Sequence, residues 1–93
     1  MTDDDAVRVP IESELDLHAF HPRDIAGVVD AFLDAAAEAG LADVRLVHGR
    51  GIGIQRRVVH ERLAAHAAVE AFHDEPRAHL GATIARLRRF APS

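Results

Sequence analysis

The chain has 93 residues, 48% of them hydrophobic and 28% charged, which suits one small globular domain with a single core. It contains no cysteine, so disulfides, thiolate metal centres and cysteine nucleophiles are excluded. No apolar run approaches the roughly 18 residues of a membrane span, and no basic start leads into a hydrophobic stretch. A cytoplasmic monomer with no membrane partner is the expectation.

The net charge of −4 argues against nucleic-acid binding through bulk electrostatics, but the charge is unevenly spread. Residues 1–16 carry Asp3, Asp4, Asp5, Glu12, Glu14 and Asp16 against Arg8, a balance of −5. Residues 45–62 carry Arg45, Arg50, Arg56, Arg57 and Arg62 against Glu61, a balance of +4. All eleven basic residues are arginine, the side chain suited to bidentate phosphate recognition, although a GC-rich genome gives the same bias.

Residues 1–9 form a polar, acidic tail expected to be disordered, and residues 10–90 form the domain. The first strand is expected over about Glu12 to His18, with Leu15 and Leu17 on one face and Asp16 and His18 on the other. Pro22 suits the first position of a helix, and Asp24 complements its dipole. Ile25, Val28, Val29, Phe32 and Ala36 recur at helical spacing, and Gly40 closes the helix. Asp43 to His48 reads as a second strand. A second helix, Ile54 to His66, has Ile54, Val58, Val59 and Leu63 as its apolar side. Val69 to Phe72 is a short third strand, Asp74 to Leu80 a loop, and Ala82 to Arg88 a fourth strand. The order βαβαββ implies a parallel pair joined by right-handed crossovers and a two-layer α/β sandwich.

Chemistry gathers in two segments, Leu15-Asp16-Leu17-His18 and His48-Gly49-Arg50-Gly51-Ile52-Gly53. With the first two strands parallel, His18 and His48 both lie at carboxyl ends, where open α/β sheets bind ligands. The glycine loop opens a helix, whose free N–H groups favour an anion, and glycine permits close backbone approach. Arg56 and Arg57 stand in or near that helix's first turn, where a cation is disfavoured by about 0.3–1 kcal/mol. No nearby acid offsets them before Glu61, and a bound phosphate would reverse the penalty. His21 is expected to cap a helix, and His60, His66, His73 and His79 to be exposed. His18 and His21 lack a carboxylate at ligand spacing, so no zinc site is expected.

Leu-Asp-Leu-His followed by His-Gly-Arg-Gly-x-Gly, together with Gly81-Ala82-Thr83 and the Val69–Phe72 spacing, resembles the small MutS-related (Smr) domain from about Ile11 to Arg89. The continuation His18-Ala19-Phe20-His21-Pro22-Arg23-Asp24 is similar to stand-alone short members rather than to the domain fused to a mismatch-repair-type ATPase. The resemblance implies the fold of the C-terminal domain of translation initiation factor 3: a four-stranded mixed sheet in the order 1-2-4-3, its last strand antiparallel, with both helices on one face. Thr83, Ala85 and Leu87 should then face the helices. Arg86 and Arg88 should share the open face with Asp16 and His18 as a track for a polynucleotide.

The resemblance further implies an endonuclease that nicks DNA or cleaves RNA, with some relatives contacting ribosomes. Asp16, His18 and His48 are the implied catalytic residues; Arg50, Gly51 and Gly53, with Arg56, Arg57, Arg86 and Arg88, are the implied phosphate contacts. Two departures accompany it. Ala19 stands where glycine is common, narrowing backbone access, and glycines common before Gly81 are absent from Arg77 to Leu80. His18 suits a general base or acid, because histidine titrates near neutrality. Asp16 either orients a histidine or binds a divalent cation (Mg or Mn), the cofactor that water attack on DNA calls for. RNA can supply its own 2′-hydroxyl. A nucleic-acid-binding module without cleavage and a ribosome- or protein-interaction domain are the alternatives.

Overall fold

The computed structural model describes residues 11, 13–49, 53–78 and 81–88. Arg50, Gly51, His79 and the acidic tail lie outside the described residues. Strand β1 (Ser13–Asp16), helix α1 (Ile25–Glu38), β2 (Asp43–Val47), α2 (Ile54–Ala65), β3 (Val69–Asp74) and β4 (Ala82–Leu87) follow in chain order. Single 3-10 turns occupy Leu17–Ala19, Pro22–Asp24 and Pro76–Ala78. The sheet order is β1-β2-β4-β3, with β1 parallel to β2, and β4 antiparallel to both β2 and β3.

Several expected boundaries move, each for a local reason. β1 stops at Asp16 rather than reaching His18, because the Asp16 carboxylate accepts the His18 N–H at 2.9 Å. A side chain that takes the amide two residues on turns the backbone out of the ladder. Pro22–Asp24 is a 3-10 turn ahead of α1, and His21 does cap it, its Nδ1 accepting from the Arg23 N–H. α1 ends as expected at Gly40, whose φ is +76°. There the Leu41 N–H donates to Ala36 O and the Gly40 N–H to Ala37 O, both at 3.0 Å. This paired closure satisfies carbonyls that the helix end would otherwise leave open. β3 runs on past Phe72 to Asp74, which pairs in register with Thr83.

The core lies between the helices and one sheet face. Leu17, Ile25, Val29, Leu33, Val44, Leu46, Val59, Leu63, Ala85 and Leu87 are all buried. Each fully buried Leu or Val contributes about 1.5–3 kcal/mol. Ile54, expected on the apolar side of α2, is instead 56% exposed. At 100° per residue it lies about 140° around the helix from Val59, off the stripe that Val59 and Leu63 define. The two helices are also joined by polar rungs. Arg62 donates two hydrogen bonds to Asp30, and His66 bonds Asp34 at 2.8 Å. Both rungs advance by four residues on each helix, so the helices run parallel. His66 is accordingly half-buried rather than exposed.

In β4, Thr83, Ala85 and Leu87 are buried as expected and Arg86 is exposed, but Ile84, expected with Arg86 on the open face, is buried as well. The two arginines expected as a polynucleotide track on the open face have partners within the fold. Arg86 bonds Asp43, its partner in register, at 3.3 Å, and Arg88 lies beyond the strand and donates to Ala67 O. Asp43 stands at the opposite end of β2 from Val47, the register partner of Asp16, about 13 Å away along the strand. Arg45 is held between Glu14 and Glu75. Among the described residues, the arginines of this face therefore already have carboxylate or carbonyl partners.

Candidate functional site

The two chemistry-bearing segments meet at the carboxyl ends of β1 and β2. The turn that ends β1 also makes the Asp16–His18 pair. The Asp16 carboxylate oxygen that accepts the His18 amide lies 2.7 Å from Nδ1 of its ring. A carboxylate only accepts, so Nδ1 carries the hydrogen and Nε2 of the neutral ring is left as an acceptor. Both side chains are more than 60% exposed, at 64% and 63%. The His18 N–H, and after it the ring, hold the Asp16 carboxyl below the usual carboxylate range.

Nε2 of His18 points at Gly49. A Cβ on Gly49 would sit 3.0 Å from that nitrogen, and the φ of +78° at Gly49 is one that glycine adopts without strain. The Gly49 and His48 N–H groups both donate to Gly81 O, at 2.9 and 3.0 Å, tying this turn to the start of β4. Gly53, with φ +83°, is the N-cap of α2. The acid–histidine pair, the glycine turn and a helix N-terminus thus converge on one rim of the sheet.

His48 plays a different part from His18. It is 3% exposed, and both of its ring nitrogens are engaged. Nδ1 lies 3.0 Å from Gly49 O, and Nε2 lies 2.9 Å from the Thr83 hydroxyl. Burial pushes this imidazole below the ordinary histidine value, which favours its neutral form. A ring so placed holds the loop rather than meeting a substrate.

His60 and Thr83 carry no site role in the sequence reading, yet both belong here. His60, expected to be exposed, is part-buried between Thr83 Oγ1 at 3.0 Å and Asp74 Oδ1 at 3.2 Å, and its ring packs edge-on against Phe72. Asp74 takes a two-point hydrogen bond from Arg56, and that guanidinium keeps its carboxyl below the usual range. Arg56 therefore has its counter-charge on β3, 18 residues away. Arg57 remains exposed, with a 3.4 Å contact to Glu61. A threonine on the helix-facing side of β4 was the sequence signal for this cluster, since a buried hydroxyl requires partners.

Among the described residues, His48, His60 and Asp74 form the group that could hold a metal, their ligand atoms all within 4.8 Å of one another. Hydrogen bonds already account for all three: the Thr83 hydroxyl lies between the two imidazoles, and Arg56 covers Asp74. Among the described residues, Asp16 belongs to no such group. Magnesium completes its octahedron with water and substrate phosphates around as few as one or two carboxylates, so the Asp16 carboxylate alone neither builds nor excludes such a site.

A two-layer α/β sandwich with an aspartate–histidine pair and a glycine turn at adjacent parallel strand ends is the class that the fold and site define. The family model for the Smr domain matches residues 15–88, and the chain belongs to that family. It is similar to "Endonuclease MutS2" of Brevibacillus brevis, 40% identical over 80 residues, covering 84% of this chain and 10% of that protein. The corresponding protein of Pelotomaculum thermopropionicum is 35% identical over 79 residues and is likewise covered for 10% of its length. The chain thus spans about a tenth of these relatives. Among solved structures, the Smr domain of Thermus thermophilus MutS2 superposes with a TM-score of 0.76 at 35% identity, covering 82% of this chain and 98% of that one. YdaL, a stand-alone small MutS-related protein from Escherichia coli, gives 0.77 at 25% identity, covering 94% and 73%. The described fold and the expected sheet order agree with these structures.

Proposed function

We propose that this Smr domain is a nucleic-acid endonuclease acting at the rim formed by His18, Asp16 and the glycine turn. One observation carries the reading: Asp16 fixes the His18 ring through Nδ1, leaving Nε2 as a proton acceptor beside Gly49. In that role Nε2 takes the proton of the attacking hydroxyl, whose oxygen bonds to phosphorus as the bond from phosphorus to the 5′-oxygen breaks. The 5′-oxygen leaves with a proton from water, and Asp16 stabilises the imidazolium that forms. The free N–H groups at the start of α2, with Arg50 and Arg57, balance the charge that grows on the phosphate oxygens. Because the Asp16 carboxylate is engaged by both the backbone and the ring of His18, the internal 2′-hydroxyl of RNA, which needs only a base, is the nucleophile that best suits this site. The names of the MutS2 relatives support the nuclease class.

The test incubates the purified chain with single-stranded RNA and with supercoiled plasmid, each with magnesium, manganese or EDTA. RNA cleavage that persists in EDTA, disappears in His18→Ala and stops when the nucleotide at the cut site is 2′-deoxy is the expected result. Nicking of plasmid alone, dependent on metal, would replace the internal nucleophile with water. Intact substrates under all conditions, with salt-sensitive binding retained, would leave a binding module and overturn the enzyme reading.

A further inference from the structure

We infer that Asp74, His60 and Thr83 form a directed hydrogen-bond relay that fixes the tautomer of His48 and through it the Gly49 turn against His18; as a claim about catalysis, it rests on the function proposed above. The direction follows from the two ends, both of which can only accept. At one end the Gly49 carbonyl lies 3.0 Å from His48 Nδ1, so Nδ1 carries the hydrogen and Nε2 of the neutral ring is an acceptor. The Thr83 hydroxyl, 2.9 Å away, must therefore donate to that Nε2. At the other end the Asp74 carboxylate, held in place by Arg56, lies 3.2 Å from His60 Nε2, so this nitrogen is a donor. The same N–H reaches Thr83 Oγ1 at 3.0 Å. Thr83 thus accepts from His60 and donates to His48, with its one hydrogen committed.

Reversing any link would set a lone pair against a carbonyl or a carboxylate. The relay therefore has one arrangement, and it ends on the Gly49 peptide. The Gly49 N–H, in the preceding peptide, donates to Gly81 O, and the Gly49 α-carbon faces Nε2 of His18. His60, Thr83 and Asp74 are positioning residues: they touch no substrate atom and act through the turn. The relay also assigns a positioning use to a buried imidazole whose two ring nitrogens are both engaged within the fold. Two elements remote from the pair, α2 and β3, are thereby tied to the geometry at His18.

Nitrogen-15 NMR of the histidine rings in the full chain reads the relay directly. The expected His48 signature is a protonated Nδ1 and an unprotonated Nε2. Thr83→Val keeps the shape but removes the hydroxyl. It should mix the two His48 tautomers and lower kcat by up to about 100-fold, the scale of a misplacement near 1 Å. Affinity for a non-cleavable 2′-deoxy substrate should hold, and Thr83→Ser should restore both signature and rate. His60→Leu, at a part-exposed site, frees the hydroxyl to rotate and should lower kcat by a smaller factor. His48 protonated on Nε2 in the unmodified chain, or Thr83→Val with unchanged signature and rate, would overturn the relay. The unmodified spectrum decides its direction even where Thr83→Val does not fold. If the unmodified chain cleaves nothing, the enzyme reading falls while the ring spectra still test the relay.

Discussion

Replacing Gly49 with alanine separates backbone strain from active-site geometry, because two other glycines share its conformation. Gly40, Gly49 and Gly53 have φ of +76°, +78° and +83°, and a side chain there costs about 1–2 kcal/mol. For a domain of this size each kcal/mol lowers the melting temperature by about 4–8 °C, so Gly49→Ala and Gly40→Ala should be destabilised alike. Their surroundings differ. A Cβ at Gly40 meets nothing within 4 Å, whereas one at Gly49 lies 3.0 Å from His18 Nε2. The exposed His18 ring can retreat by the few tenths of an ångström required, so the contact adds little to the stability loss. The retreat does disturb the pairing with Asp16. Scaled from about 100-fold for 1 Å, it should lower kcat roughly two- to tenfold. Thermal melts and single-turnover cleavage of both variants make the comparison. Gly49→Ala that cleaves at the parent rate, or Gly40→Ala that loses as much, would refute the contact between the two segments.

Three further outcomes follow from the same geometry. Gly27, exposed on α1 with open space around it, should accept alanine with a gain of up to about 1 kcal/mol; a lowered melting temperature would show that an unseen contact matters there. Arg57→Ala should reduce the slope of log affinity against log salt by about 0.7–0.9, one phosphate contact. Arg86→Ala, at the far end of the sheet and paired with Asp43, should leave that slope unchanged; equal effects would return the binding surface to the open face. His48 has its folded-state pKa depressed by burial, so the unfolded chain binds the proton more readily. Its contribution to stability is complete above about pH 6.5 and is lost as pH falls below that value toward the folded pKa. His48→Gln should therefore lose less melting temperature than the parent between about pH 7.5 and 5.5, and equal losses would contradict the buried neutral ring.

Much of the fold was legible because its signals are local. Alternation placed Thr83, Ala85 and Leu87 under the helices, Gly40 marked the end of α1, and two motifs marked the parallel strand ends. The site was less legible where partners are distant in sequence. Arg56 looked misplaced at a helix start because its carboxylate, Asp74, lies on another element. His60 looked like a surface residue because only the fold brings it to Thr83 and Asp74. The partners of Arg86 and Arg88 were hidden for a related reason. Alternation assigns a face but not an end of the sheet, and it does not show which arginines already have an acid opposite.

The rungs between α1 and α2 bear on how the molecule moves. Asp30–Arg62 and Asp34–His66 join the helices at successive turns, while Leu33 and Leu63 are buried with them in the common core. Neither helix can lift from the sheet without breaking both rungs, so the layer should open as one cooperative unit and its amides should exchange with solvent at similar rates. The turn that carries the Asp16–His18 pair lies outside that unit, in the single 3-10 turn after β1, so movement of the pair would not require the core to loosen.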